Sequence, residues 1–313
     1  MTSELSKLLL AAALTLSLQA AQAQTQLLFI GNSFTFGAGA AVRHYRADTV
    51  TDLNNEGIGG VPALVKSFTD QAGLDYEVAL ETRGGSGIDF HLEHKLGVIG
   101  RRPWDRVAMH GFSTLDARKP GDPSTLIQSA TRMAEFLRSR NPKVDVYLTA
   151  TWSRADQTYP AGTPWHGKPI NAMALDVRAG YDKAAAAADA KAVIPVGQAW
   201  NRAFAAGVAD ANPYDGIDAG KMNLWATDHY HASDRGYYLE ALVIFGQITG
   251  LDPRSLGDNE CSGFELGLSR EEVRALQQVA FDELAAARAV KAAPLVLPRD
   301  SWPERCSRRA RSR

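Results

Sequence analysis

Short apolar runs alternate with helix-like segments along this 313-residue chain, and this alternation constrains the fold more than any other feature. Five runs have the length and composition of buried strands: residues 26–30, 76–82, 106–109, 144–150 and 192–196. Helical spacing is clearest over residues 124–140, 172–191, 198–208, 237–249 and 269–290. In the last of these, Ser269 and Glu272 have the spacing of a capping box. The alternation predicts an α/β fold, a three-layer α/β/α sandwich around a five-stranded parallel sheet.

The first 23 residues have the pattern of an export signal. Lys7 precedes an apolar run over residues 8–18. Ala21 and Ala23 then supply small residues at the −3 and −1 positions of a cleavage site. A buried N-terminal helix is the alternative, but the small residues favour cleavage. We therefore expect a signal peptide over residues 1–23, one α/β domain over 24–290 and a basic C-terminal tail over 291–313. The mature protein is then expected in the periplasm or outside the cell, without a membrane anchor.

Charge and cysteine content narrow the classes of partner. The formal net charge is −1, so no overall field attracts nucleic acid. The two cysteines, Cys261 and Cys306, are too few for a cysteine-based zinc site. In an oxidising compartment they could form a disulfide that ties the tail to the domain, and two unrelated thiols are the alternative.

The residues that follow the strands deserve most weight, since ligands of parallel sheets bind outside the carboxyl ends of the strands. Ser33 follows the first strand, after a glycine, at the start of a helix expected to open within residues 31–41. Backbone N–H groups and the helix dipole at that point could hold the oxyanion formed when the serine attacks a carbonyl. A serine that only caps the helix is the alternative.

Three further loops follow the next strands. The glycine-rich loop at residues 83–87 could donate an N–H to an oxyanion, or be a simple tight turn. Phosphate binding is a weaker option, because the loop lacks a Gly-Lys-Ser/Thr ending. The third strand is followed by residues 110–113 (HGFS). After the fourth strand, Trp152 could line a substrate cleft or pack within its own loop.

Near the C-terminal end, Asp228 and His231 share one loop just before a helix. An aspartate can fix the tautomer of such a histidine and stabilise its charged form, while the other ring nitrogen takes the proton of a serine hydroxyl. The alternative for this segment is a metal site built from Asp228, His229 and His231. Three residues match the number of protein ligands that zinc usually takes. However, the sequence contains no His-Glu-x-x-His motif, which is typical of zinc proteases.

In this order, the segments resemble the blocks of the SGNH (GDSL-like) hydrolase superfamily. Residues 31–35 (GNSFT) resemble its first block, residues 83–87 its second, and Asp228-x-x-His231 its last. The spelling is most similar to an uncharacterised bacterial branch, the DUF4886-like proteins. The resemblance implies a flavodoxin-like fold and a serine esterase with Ser33 as nucleophile, Asp228 and His231 completing the triad, and the Ser33 and Gly87 N–H groups holding the oxyanion. It also implies small acyl esters, often acetyl groups on carbohydrate, as substrates, and no cofactor or metal.

One block departs from the superfamily pattern. The third block usually reads Gly-x-Asn-Asp, and its Asn donates to the oxyanion, whereas this chain has Phe112 in the matching loop. His110 or Ser113 could substitute, with Asn32 and Trp152 as further candidates for supporting the substrate or the oxyanion. Otherwise two backbone donors remain, and loss of one donor costs about 10²–10³ in rate. A non-catalytic carbohydrate-binding protein on the same fold is therefore an alternative, and a metal-dependent hydrolase is another.

Overall fold

Six parallel strands form one sheet in the described part of the chain, in the order β2-β3-β1-β4-β5-β6. The structure is a computed structural model that describes residues 24–258 and 260–292. The strands are β1 (Thr25–Gly31), β2 (Thr51–Asp52), β3 (Tyr76–Thr82), β4 (Arg106–Met109), β5 (Asp145–Ala150) and β6 (Ala192–Pro195).

Helices connect the strands and cover both faces of the sheet. They are α1 (Ser33–Phe36), α2 (Gly60–Gln71), α3 (Ile88–His94), α4 (Leu96–Ile99), α5 (Ser124–Arg140), α6 (Ala155–Thr158), α7 (Asn171–Ala188), α8 (Val196–Ala205), α9 (Asp234–Thr249), α10 (Cys261–Glu265) and α11 (Arg270–Ala286). Short 3₁₀ turns lie at Ala41–His44, Ala47–Thr49 and Pro253–Leu256.

Successive side chains along the strands pack into two separate hydrophobic cores, one on each face of the sheet. Leu27 and Phe29 of β1 pack with residues of α2, α8, α9 and α11, whereas Leu28 and Ile30 pack with residues of α3, α5 and α7. This follows from the two-residue period of a strand, which sends successive side chains to opposite faces. The predicted three-layer α/β/α sandwich is therefore confirmed.

The prediction of five strands was one too few. All five predicted strands are present, but β2 adds a sixth at the edge, where Thr51 and Asp52 pair with Ala79 and Leu80. A strand of two residues is too short to show a periodic pattern, so it could not be predicted from the sequence.

The helices also differ from the sequence prediction in places. The helix expected to open within residues 31–41 and to run toward Tyr45 and Arg46 instead ends after one turn, because Gly37 adopts a left-handed conformation with φ of 78° that terminates it. Helix α2 was not predicted. The capping box at the start of α11 is confirmed: the Ser269 hydroxyl accepts from the Glu272 N–H, and the Glu272 carboxylate accepts from the Ser269 N–H.

The strand order brings three loops together at one edge of the sheet. β1 lies between β3 and β4, with Gly31 paired to Thr82 and Ile30 paired to Met109. After β1, the chain forms β2 and β3 on one side of β1 and then β4 on the other side. The end of β1 is therefore the topological switch point, where ligands of such sheets bind. The loops after β1, β3 and β4 therefore converge.

Both termini of the chain extend past the described residues. The predicted signal peptide, most of the basic tail and Cys306 lie there, while Cys261 is fully buried in α10. The pairing of the two cysteines thus stays a prediction. Among the helices of the described ranges, none combines the length and the apolar character needed to cross a membrane.

Candidate active site

Asp228 and His231 form a hydrogen-bonded pair in the loop before α9. Oδ2 of Asp228 lies 2.6 Å from Nδ1 of His231, and Oδ1 accepts from the backbone N–H groups of Tyr230 and His231 at 3.0 and 2.9 Å. Partial burial by itself would raise the pKa of the Asp228 carboxyl, but the hydrogen bonds from the His231 ring and from the two N–H groups outweigh it and lower the pKa. The carboxylate is thus held ionised and oriented toward the imidazole.

The second ring nitrogen of His231 is available for proton transfer. Nε2 is buried and makes no hydrogen bond to any of the described residues. The His231 ring lies edge-on to that of Phe34, with 5.7 Å between the centroids, and Phe34 is the chain neighbour of Ser33. An imidazole held through Nδ1, with Nε2 unpaired, has the arrangement of a general base.

Ser33 is the first residue of α1 and is only 7% exposed. The hydroxyl of Tyr237, on α9, lies 3.3 and 3.0 Å from the carbonyl oxygens of Ser33 and Ala38, so α9 holds the backbone that carries the serine. No hydrogen bond joins Ser33 Oγ to Nε2 of His231. Such contacts are often long in free enzymes and shorten when substrate binds.

Two backbone N–H groups beside the serine are without acceptors. Neither the Ser33 N–H nor the Gly87 N–H donates a hydrogen bond within the part of the chain that the structure describes. Because α1 has one turn, its dipole is small, and the predicted contribution of a helix dipole is not supported. An oxyanion at this place would depend on the individual N–H groups.

Asn32 joins the three loops that meet at the edge of the sheet. Its Oδ1 accepts from the Phe34 N–H at 3.1 Å, which caps α1. Its Nδ2 donates to the carbonyl oxygens of Ser86, in the loop after β3, and Gly111, in the loop after β4, at 2.8 and 3.3 Å. Because Asn32 is 4% exposed and both ends of its amide are used, it holds the loops rather than contacting a ligand.

The polar residues of the loop after β4 are also engaged elsewhere. His110 is buried, with Nε2 2.6 Å from the Thr35 hydroxyl and Nδ1 3.1 Å from the carbonyl oxygen of Gly111. Burial lowers the pKa of His110 to about 4, so the ring is neutral at pH 7. Ser113 is buried too and accepts a hydrogen bond from the Arg154 guanidinium at 3.1 Å. His110 therefore presents no free donor to an oxyanion, whereas the Ser113 hydroxyl, which accepts in this contact, keeps its own O–H donor.

Trp152 supports the loop that carries Asp228 and His231 (the histidine loop) from its buried side. Its fully buried ring is stacked between those of Phe34 and Trp200, with centroid separations of 4.1 and 4.7 Å. Its indole N–H donates to the carbonyl oxygen of Tyr230 at 3.2 Å. The ring therefore has no surface left for a ligand, and the packing alternative describes its position better than a cleft-lining role.

A cavity of about 440 Å³ lies beside Gly87, between the loops after β3 and β4 and the helices α3 and α5. Its walls are mixed in character, with Phe90 and Phe112 on the aromatic side and Asp116 and Arg118 on the charged side. Ser33 and His231 do not line the cavity itself. It is large enough for a small organic group attached to a carbonyl at Gly87.

The three residues of the predicted metal alternative do not converge. The ring of His229 packs edge-on against Tyr214, with 4.3 Å between the centroids, while His231 is turned to Asp228. Nowhere in residues 24–258 and 260–292 do three His, Cys, Asp or Glu side chains group closely enough to hold a metal ion.

Several residues that build the site were not assigned a role from the sequence. Arg154, which pairs with Asp156, lies with its guanidinium carbon 3.5 Å from the ring centre of Tyr230 and braces the histidine loop. Tyr237 and the buried Glu81 and His91 belong to this group as well. Arg154 and Tyr237 act on residues distant in sequence, so no local pattern could have identified them.

Comparison with solved structures identifies the architecture. A DUF4886 family protein from Bacteroides uniformis matches with a TM-score of 0.59 at 16% identity, over 86% of this chain and 97% of its own. A candidate GDSL-like lipase from Parabacteroides merdae matches with a TM-score of 0.51 at 15% identity, over 72% of this chain and 96% of its own. The chain has the SGNH (GDSL-like) fold. The fold that the resemblance implied is therefore confirmed, whereas the assignment to a DUF4886-like branch stays a prediction.

A third structure agrees with this assignment of fold. LAE5, an alpha/beta hydrolase enzyme from the metagenome of Lake Arreo in Spain, matches with a TM-score of 0.50 at 14% identity, over 71% of this chain and 94% of its own. No protein-family model matches the SGNH-fold chain, and no curated protein matches it. At such low identities the similarity concerns the fold, so the chemistry has to be argued from the site.

Proposed function

We propose that this protein is a serine esterase that hydrolyses small acyl esters, with acetyl esters of carbohydrate as the preferred class. The observation that carries the proposal is the Asp228–His231 pair, whose Nε2 is buried and unpaired beside the segment that bears Ser33. The unpaired Ser33 and Gly87 N–H groups supply the second requirement of acyl transfer, donors for a developing oxyanion.

The proposed reaction has two halves. The Ser33 hydroxyl attacks the ester carbonyl while Nε2 of His231 takes its proton, and the resulting oxyanion accepts from the Ser33 and Gly87 N–H groups. The intermediate collapses, His231 returns the proton to the leaving alcohol, and an acyl-Ser33 remains. Water then attacks this acyl group by the same route and releases the acid. Asp228 stabilises the charged imidazole throughout.

The substrate class follows from the cavity beside Gly87. A volume of about 440 Å³ accommodates one sugar unit, and walls that combine aromatic rings with charged and hydroxyl side chains suit a carbohydrate better than an acyl chain. The resemblance to SGNH hydrolases favours the same class. The export signal over residues 1–23 would bring the enzyme to such substrates outside the cytoplasm, and fractionation of cells that express the full chain tests this.

The test is hydrolysis of p-nitrophenyl acetate by the mature protein and by Ser33→Ala and His231→Ala. We expect both variants to lose at least about 10³-fold in kcat, while the exposed control Ser139→Ala keeps wild-type activity. A fluorophosphonate probe should label the wild type, and peptide mapping should place the adduct on Ser33. Equal activity in all four proteins would show that Ser33 is not the nucleophile.

Two further arms separate the alternative functions. His229→Ala and added EDTA should leave activity unchanged, because His229 lies against Tyr214; loss of activity in either would favour a metal-dependent hydrolase. Absence of turnover, with glycan binding that persists in Ser33→Ala, would favour a carbohydrate-binding protein on the same fold.

A further inference from the structure

A second acid–histidine–serine arrangement lies behind the loop after β3. Glu81, at the end of β3, is hydrogen-bonded to Nδ1 of His91 on α3, and Nε2 of His91 lies 3.4 Å from the Ser86 hydroxyl. Glu81 and His91 are fully buried and Ser86 is 9% exposed. The proposed esterase mechanism does not use these three residues, which we call the Glu81–His91–Ser86 chain.

The Glu81 end of the Glu81–His91–Ser86 chain is held by residues of two neighbouring segments. Asn54 donates its Nδ2 to the other carboxylate oxygen of Glu81 at 3.1 Å and to the Thr82 carbonyl oxygen at 2.9 Å. The Lys95 ammonium lies 3.7 Å from the same carboxylate oxygen. Burial would raise the pKa of Glu81, but the hydrogen bond and charge of His91, together with Asn54 and Lys95, lower it. Glu81 is therefore a fixed anionic anchor.

The geometry at Ser86 differs from that of a second nucleophile. The Ser86 hydroxyl has one proton, and its shorter contact, 2.8 Å, is to the carbonyl oxygen of Arg83 within the same loop. The contact to His91 is 0.6 Å longer. The hydroxyl thus links the loop to the buried histidine, and its proton is directed to a backbone carbonyl rather than to the imidazole.

Ser86 is also held through its backbone, and this decides where the Gly87 N–H points. The Ser86 carbonyl oxygen accepts from Nδ2 of Asn32 at 2.8 Å. In a planar trans peptide the carbonyl and the following N–H are fixed relative to each other, so holding the Ser86 carbonyl and side chain fixes the direction of the Gly87 N–H. That N–H has no acceptor among the described residues, and the three residues before Ser86 are exposed, two of them glycines.

We propose that the Glu81–His91–Ser86 chain is a positioning device that holds the Gly87 N–H in the direction required for oxyanion stabilisation. The inference rests on the proposed esterase function. A buried carboxylate–imidazole pair is a poor source of stability, because removing both polar groups from water offsets their attraction, and apolar residues could fill the same space. Its place directly behind an unpaired donor is what a positioning role requires.

Ser86→Ala tests the proposal, because it removes only the hydroxyl. We expect kcat for p-nitrophenyl acetate to fall roughly tenfold with KM changed less than about twofold, since complete loss of one donor costs about 10²–10³ and here the donor is only loosened. Ser86→Thr, which keeps the hydroxyl, should recover most of kcat. Thr69→Val is the matched control: Thr69 is also buried and its hydroxyl likewise donates to the carbonyl oxygen three residues earlier, but it lies on α2.

A second readout does not depend on turnover. The backbone order parameter of Gly87, from ¹⁵N relaxation, should drop in Ser86→Ala from the rigid range near 0.85 to below about 0.6, and should stay rigid in Thr69→Val and Ser86→Thr. An unchanged Gly87 order parameter in Ser86→Ala overturns the proposal. A fluorophosphonate adduct on Ser86 would overturn it as well, because Ser86 would then be a nucleophile.

The two readouts separate this inference from the esterase proposal. Turnover that depends on Ser33 but is unaffected by Ser86→Ala would refute only the positioning role. Absence of Ser33-dependent turnover would refute the esterase, while the mobility of Gly87 would still decide whether the Glu81–His91–Ser86 chain orders the loop.

Discussion

Replacing Asp228 with asparagine should abolish most activity while leaving the loop in place. In the structure, Oδ1 of Asp228 accepts from two backbone N–H groups, those of Tyr230 and His231, and Oδ2 accepts from Nδ1 of His231. An asparagine has a single oxygen, and the two N–H groups would bind it, because the opposite rotamer would direct an NH₂ group against two donors. The asparagine NH₂ would therefore face Nδ1 of His231.

This arrangement would lock His231 in the wrong tautomer. Nδ1 would have to accept, so the ring proton would move to Nε2, which could then no longer take a proton from Ser33. The wrong-tautomer penalty in serine triads is about 10⁴ in kcat, which corresponds to about 5 kcal/mol of transition-state stabilisation. KM should change little, since Asp228 has no proposed contact with substrate.

The assay is steady-state hydrolysis of p-nitrophenyl acetate, with thermal unfolding of each variant as a measure of folding. Asp210→Asn is the control for a loop aspartate outside the site, where Oδ1 accepts from the Asn212 N–H and Oδ2 from the Asp218 N–H. Because the asparagine NH₂ group would leave one of these N–H groups without an acceptor, Asp210→Asn should lower Tm but keep wild-type kcat. A folded Asp228→Asn protein with kcat within tenfold of wild type would refute the role assigned to the Asp228–His231 pair.

Three further predictions concern the supports of the site. Asn32→Asp restores the usual spelling of the first SGNH block. It should lower the free energy of unfolding in urea by about 3 kcal/mol, because a buried carboxylate would face the carbonyl oxygens of Ser86 and Gly111. An unchanged urea midpoint would contradict the bridging role of Asn32. His110 has a pKa lowered to about 4 by burial, so the unfolded chain binds the proton first as the pH falls. Stability should decline between about pH 6.5 and pH 4 by about 3 kcal/mol, and His110→Gln should flatten that part of the profile; parallel profiles would contradict the burial argument. Trp152→Ala should cost about 3–5 kcal/mol of stability and also lower kcat, because the indole N–H holds the histidine loop; a purely structural role predicts loss of stability with kcat unchanged in the folded fraction.

The features that the sequence determined by itself are those encoded locally. Strand β3 and helix α5 were predicted at their observed bounds, because the apolar periods of 2 and 3.6 residues are properties of short windows. The capping box of α11 depends on residues three apart. The order of the three SGNH-like blocks was likewise visible along the chain, as was the three-residue spacing of Asp228 and His231, which places their hydrogen bond within one loop.

Tertiary structure alone decided which distant residues meet. The two hydrogen bonds of the Asn32 amide span 54 and 79 residues, and they exist because β1 lies between β3 and β4 in the sheet. The Tyr237 hydroxyl on α9 likewise reaches the carbonyl oxygen of Ser33 from 204 residues away. A residue type does not reveal whether its polar atoms are free or already hydrogen-bonded. From the sequence, His110 and Trp152 were therefore candidates for the site, and only the packing shows that both are buried behind it.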